Sequence, residues 1–105
     1  MAKRKPVLLP RVDRILVDLG ERIRLARLRR NMSAQNLAER AGISRQTVSN
    51  LENGSSSVSL ATFIQVLFIL GLEKDLELVA LDDVFGRKLQ DLKLPTRRRA
   101  SKRTV

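Results

Sequence analysis

An all-α fold, a compact helical bundle, is what this sequence predicts, and three observations carry the prediction. Apolar residues recur at three- and four-residue intervals from Val12 to Ala26, and again between Ser33 and Leu70. Ser33, Ser44 and Ser59 each stand just before such a stretch, where a side-chain oxygen caps a helix, and Gly42 and Gly71 stand just after two of them. The chain has 105 residues, enough for one compact core and short ends.

Residues 1–11 form a basic arm punctuated by Pro6 and Pro10. From Val12, the positions Ile15, Leu16, Leu19, Ile23 and Ala26 keep helical spacing to about Arg30 and read as one helix, weakened in the middle by Gly20, the point at which a break would fall. Arg22, Arg29 and Arg30 fit a solvated face. Arg27 falls on the side of Ile23 instead, so it points toward the domain and needs an anionic partner.

The stretch from Ser33 to Glu52 organises the rest. Leu37, Ala38 and Ala41 make the inner face of one short helix, and Val48 and Leu51 that of a second. Gly42 turns the chain between them with a positive φ, Ile43 plugs the corner, and Ala38 is small where the helices cross. Glu52 closes the second helix on its core side, which makes it the expected partner of Arg27. This is the spacing of a helix-turn-helix.

Asn53 to Ser57 is a turn by composition, and Leu60–Leu70 is a helix that is apolar almost all round. Leu60, Phe63, Ile64 and Leu67 are expected on one face and Val66, Phe68 and Ile69 on a second, a surplus that predicts a second subunit or cover from the C-terminal segment. Within 73–95, Leu76 and Leu78 alternate as in a strand, while Leu72, Leu76 and Val79 fit a helix, the reading favoured for 73–81. Leu89 and Leu92 then mark a short amphipathic helix or docking peptide that stops before Pro95. Residues 96–105 are an Arg-rich tail expected to be disordered unless bound. The division is thus 1–11, 12–72, 73–95 and 96–105.

Composition removes whole classes of chemistry. With no His, Cys, Trp or Tyr there is no disulfide, thiol nucleophile or imidazole ligand, so neither a metal, a cofactor nor an enzymatic role is expected. Asp82 and Asp83 are adjacent and diverge rather than share a reaction centre. No apolar run approaches the roughly 18 residues of a membrane span, and the opening Met-Ala-Lys-Arg-Lys-Pro lacks the apolar stretch of a signal peptide, so a cytoplasmic protein without a membrane partner is expected. The net charge of +10 lies mostly at the ends, +4 in residues 1–12 and +5 in 96–105, while 20–60 carry +4 and 61–95 carry −2. Such a distribution predicts a polyanionic partner.

From Leu37 to Gly54 the chain reads Leu-Ala-Glu-x-x-Gly-Ile-Ser-x-x-x-Val-Ser-x-x-Glu-x-Gly. This resembles the helix-turn-helix of the phage-repressor superfamily, the Cro/C1-type or xenobiotic-response-element family, and implies a lambda-repressor-like bundle that binds operator DNA. In that family an Arg on the first helix pairs with the Glu that Glu52 matches, which supports the Arg27–Glu52 ion pair. The resemblance also implies that Arg45, Gln46, Thr47, Ser49 and Asn50 reach base edges, Arg toward guanine and Gln or Asn toward adenine. Ser33, Gln35 and Ser44, together with Asn53, Ser55, Ser56 and Ser57, are the expected phosphate contacts. Ala34 departs from the family, where many relatives carry a DNA-contacting Gln, and the serine loop lacks the usual lysines.

The expected partner is therefore double-stranded operator DNA with an inverted repeat, bound by a homodimer that uses Val66, Phe68 and Ile69. Leu89 and Leu92 serve the dimer or a further partner. The size, basic ends and segment from Leu81 to Arg99 look like HipB-type antitoxins, which implies an autorepressor with a HipA-like kinase toxin as partner. A stand-alone Cro/C1-type transcriptional regulator is the alternative.

Overall fold

Three serines start three of the helices. In the computed structural model, which describes residues 7–93, Ser33 Oγ accepts from Asn36 N at 3.0 Å, Ser44 Oγ from Thr47 N at 3.0 Å and Ser59 Oγ from Thr62 N at 3.1 Å. Each bond satisfies an amide that the first turn of a helix leaves without a backbone partner. The described residues form six helices and no strand: α1 (Pro10–Arg29), α2 (Ala34–Ala41), α3 (Arg45–Glu52), α4 (Leu60–Leu70), α5 (Glu73–Glu77) and α6 (Val84–Leu92). The all-helical bundle expected from the sequence is the fold. The basic arm up to Pro6 and the tail from Leu94 onward lie outside the described residues.

Leu37 of α2, Val48 of α3 and Val66 of α4 are fully buried at the centre of the core, joined by Ile23, Ala26, Leu67 and Leu70. Full burial of one such aliphatic side chain stabilises by roughly 1.5–3 kcal/mol. The corner between α2 and α3 is made by Gly42 at φ 70, a left-handed conformation that a side chain disfavours. Across the domain, Gln65 of α4 donates from Nε2 to the carbonyl of Ala41 at 2.7 Å, closing the C-terminal end of α2.

One expectation holds and another needs correction. α1 is the single helix expected and runs unbroken through Gly20; the glycine serves packing between helices. A Cβ at Gly20 would lie 2.6 Å from the carbonyl oxygens of both Leu51 and Glu52, so its absence lets α1 rest on the end of α3. The faces of α4 are phased differently: Val66 is 0% exposed and Ile69 packs half-buried against the core, whereas Phe68 is 64% exposed. The uncovered stripe is Leu60, Ile64 and Phe68, at i, i+4 and i+8. A helix apolar on every side carries no periodicity from which its core face can be read.

Residues 73–77 form the helix favoured for that region, and 78–81 continue as turns. Ala80 lies among them at φ 62, a conformation that costs a residue with a side chain about 1–2 kcal/mol. α6 follows with its N-terminus capped by Asp83, whose Oδ1 accepts from Gly86 N at 2.9 Å, and none of its residues is buried.

Candidate nucleic-acid interface

α3 is short, so its outward side chains are only as well placed as its two ends. At the N-terminus Ser44 Oγ, besides capping, lies 2.8 Å from Thr47 Oγ1. At the C-terminus Glu52 is gripped by Arg27 from α1: Nε donates to Oε2 at 2.7 Å and Nη2 to Oε1 at 2.9 Å. The third arm of the guanidinium donates to the carbonyl of Met32 at 2.9 Å, in the turn that leads to α2. One buried arginine thus ties together α1, the start of α2 and the end of α3. The hydrogen bond to Glu52 raises the pKa of Arg27 above that of a free guanidinium, against the opposing effect of its desolvation.

With both ends anchored, Val48 and Leu51 face the core and the other side of α3 faces outward. Arg45 and Gln46 are exposed in the first turn, and Ser49 and Asn50 are half-buried behind them. Gln46 Nε2 donates to Asn50 Oδ1 at 2.9 Å, an i, i+4 pair that orients both amides while a second hydrogen remains on Nε2. Thr47 is half-buried with its hydroxyl engaged by Ser44.

A polar groove of about 600 Å³ opens along this face. Arg45, Gln46, Ser49 and Asn53 line it from α3 and its cap, Ala34 from α2 and Arg24 from α1, with the Arg27–Glu52 pair also in its wall. Arg24 joins the groove although only its place one turn before Arg27 on the same helix marks it in the sequence. Glu21 sits 3.4 Å from its Nη1, an exposed contact worth little.

The expected phosphate-contacting residues fall into two groups along the chain, one before α3 and one after it. At the start of α2, Ser33 forms a reciprocal capping box with Asn36, and Gln35 is exposed with Nε2 bonded to Glu39 Oε2 at 3.0 Å. The serine loop after α3 is an ordered turn. Ser55 N donates to the Asn50 carbonyl at 2.9 Å, Ser57 N donates to Ser55 Oγ at 3.1 Å, and the two serine hydroxyls are 2.7 Å apart. Ser57 and Asn53 are exposed, whereas Ser55 and Ser56 are half-buried.

Such an arrangement suits duplex DNA: polar side chains with donors and acceptors along the outward face of one helix, with a capped helix start and an ordered serine turn adjoining it in the chain. Among the described residues no helix is long and apolar enough to cross a membrane. Residues 23–76, just over half of the chain, match the helix-turn-helix family. No curated protein matches the chain. The match spans the Arg27–Glu52 pair, both helices of the motif, and α4 and most of α5 behind them. The chain belongs to the Cro/C1-type helix-turn-helix family of DNA-binding transcription regulators.

Proposed function

We propose that this protein is a repressor that binds an inverted-repeat operator as a homodimer, and that it is the antitoxin and autorepressor of an operon encoding a HipA-like kinase toxin. The observation that carries the DNA reading is the outward row of Arg45, Gln46, Ser49 and Asn50 on a helix clamped at its far end by Arg27. Arg45 grips guanine O6 and N7, and Gln46 and Asn50 read adenine. Thr47 and Ser49 add single contacts. Ser33, Gln35 and Ser44 on one side and Asn53, Ser55, Ser56 and Ser57 on the other hold the phosphates. Selection from a random duplex pool tests this reading: the enriched site is two-fold symmetric, with half-sites about 34–36 Å apart.

A dimer is favoured because one short recognition helix reads few base pairs and because Leu60, Ile64 and Phe68 form an uncovered apolar stripe. Light scattering at micromolar concentration gives twice the chain mass if this is right. The antitoxin role rests on the likeness of the basic ends and C-terminal extension to HipB-type regulators. Purification from the native cell decides it: a kinase-like protein accompanies an antitoxin, and its absence leaves a stand-alone Cro/C1-type regulator.

A further inference from the structure

α4, α5 and α6 leave uncovered two apolar surfaces that match each other. The first is a groove of about 610 Å³ walled by Ala61, Ile64 and Phe68 of α4 and Leu76 of α5. Glu73 and Glu77, one turn apart on α5, also line it. Glu73 Oε1 is buried without a hydrogen-bond partner among the described residues, which a carboxylate tolerates poorly unless a donor is brought to it.

The second surface is the apolar stripe of α6. Phe85, Leu89 and Leu92 stand at i, i+4 and i+7, and all three are exposed. At about 100° per residue, Lys88 falls on one border of that stripe and Lys93 on the other. Arg87 points to the opposite side, where it pairs with Asp82 at 2.8 Å. An apolar ridge bordered by lysines therefore faces solvent on the same chain as an apolar groove bordered by glutamates. No residue of α6 lines that groove, so the helix does not occupy its own chain's site.

We propose that α6 of a second copy of this chain lies in the α4–α5 groove, with Phe85, Leu89 and Leu92 against Ile64, Phe68 and Leu76 and a lysine ammonium at Glu73. This rests on the dimer reading given above and names its interface. One observation favours a second copy as occupant: the charges of ridge and groove, on the same chain, are complementary. A two-fold axis would make the exchange reciprocal, each copy donating one helix and receiving one. Two such seats double the area that one helix in one groove buries, toward the roughly 1,200 Å² of a stable complex. Leu89 and Leu92 then belong to the dimer, and a toxin must use another face.

The chain has no cysteine, so single cysteines report proximity cleanly. A tagged Phe68→Cys chain is mixed with a differently tagged Leu89→Cys chain and treated with a short bis-maleimide. The expected product carries both tags, and Leu89→Asp, a change at an exposed position, weakens the dimer on the order of tenfold or more. A dimer that persists in Leu89→Asp and yields no doubly tagged product overturns the exchange and leaves the dimer reading standing. Linkage confined to one chain of a Phe68→Cys/Leu89→Cys variant, at monomer mass, shows α6 folding back on its own groove and overturns it as well. A wild-type chain that stays monomeric at micromolar concentration, free and on operator DNA, overturns both.

Discussion

Arg27 and Glu52, 25 residues apart in sequence, meet in a two-point hydrogen-bonded ion pair of 2.7 and 2.9 Å at the C-terminal end of α3. The arginine is 9% exposed, so it has little water to turn to if the carboxylate is lost. Its remaining arm holds the Met32 carbonyl, which makes the pair a joint between three helices.

Glu52→Ala should destabilise the fold by about 3–5 kcal/mol, because it leaves a buried guanidinium unpaired, whereas the paired change Arg27→Met/Glu52→Leu should recover much of that loss. Urea unfolding of the wild type and the two variants measures it. The pKa of Arg27 is raised on folding, so its contribution is complete below the free guanidinium value and is lost only above it. The stability difference between wild type and Arg27→Met should therefore stay level between about pH 7 and pH 10.

Gly20→Ala and Gly42→Ala should fail for different reasons. At Gly20 the added Cβ meets two carbonyl oxygens at 2.6 Å, so α1 and α3 must separate, at a cost of about 1–3 kcal/mol and with weaker operator binding. At Gly42 no atom lies within 4 Å of an added Cβ, and the strain of φ 70 alone costs about 1–2 kcal/mol. Operator affinity of the folded Gly42→Ala protein should change less. Chemical denaturation paired with a binding titration separates the two.

Arg45→Ala and Gln46→Ala should each lose about 1–3 kcal/mol on the selected operator and less on a scrambled duplex. Arg24→Ala serves as the comparison, since Arg24 lines the same groove from α1 and is expected to lose affinity on both duplexes alike. Equal losses on both duplexes for Arg45 or Gln46 would reassign that residue to the phosphates.

Truncation after Pro95 removes Arg97, Arg98, Arg99, Lys102 and Arg103, none of which has an acidic neighbour in sequence. If each meets a phosphate, the slope of log affinity against log salt falls by up to about 0.9 per charge removed, with base preference unchanged. A slope unaltered by the truncation would assign the tail to a protein partner.

Much of this protein is local and therefore legible. Ser33, Gly42, Ser44 and Ser59 set helix ends through bonds within three or four residues, and the intervals of Leu37, Ala41, Val48 and Leu51 orient two short helices without reference to the rest. Arg27 and Glu52 were also within reach, because each sits on the apolar side of an amphipathic helix, where a charge requires a partner. Other features depend on what a residue meets across the domain. Gly20 looks like a helix breaker until the carbonyls of Leu51 and Glu52 arrive beside it. Gln65 looks like a surface amide until it reaches Ala41. α4 shows why pattern alone stops short: with apolar residues on every side, its rotation about its own axis is decided by which neighbours it packs against. Packing buries Val66 and leaves Phe68 in solvent, because α1, α2 and α5 pack against that helix without covering the stripe that carries Phe68.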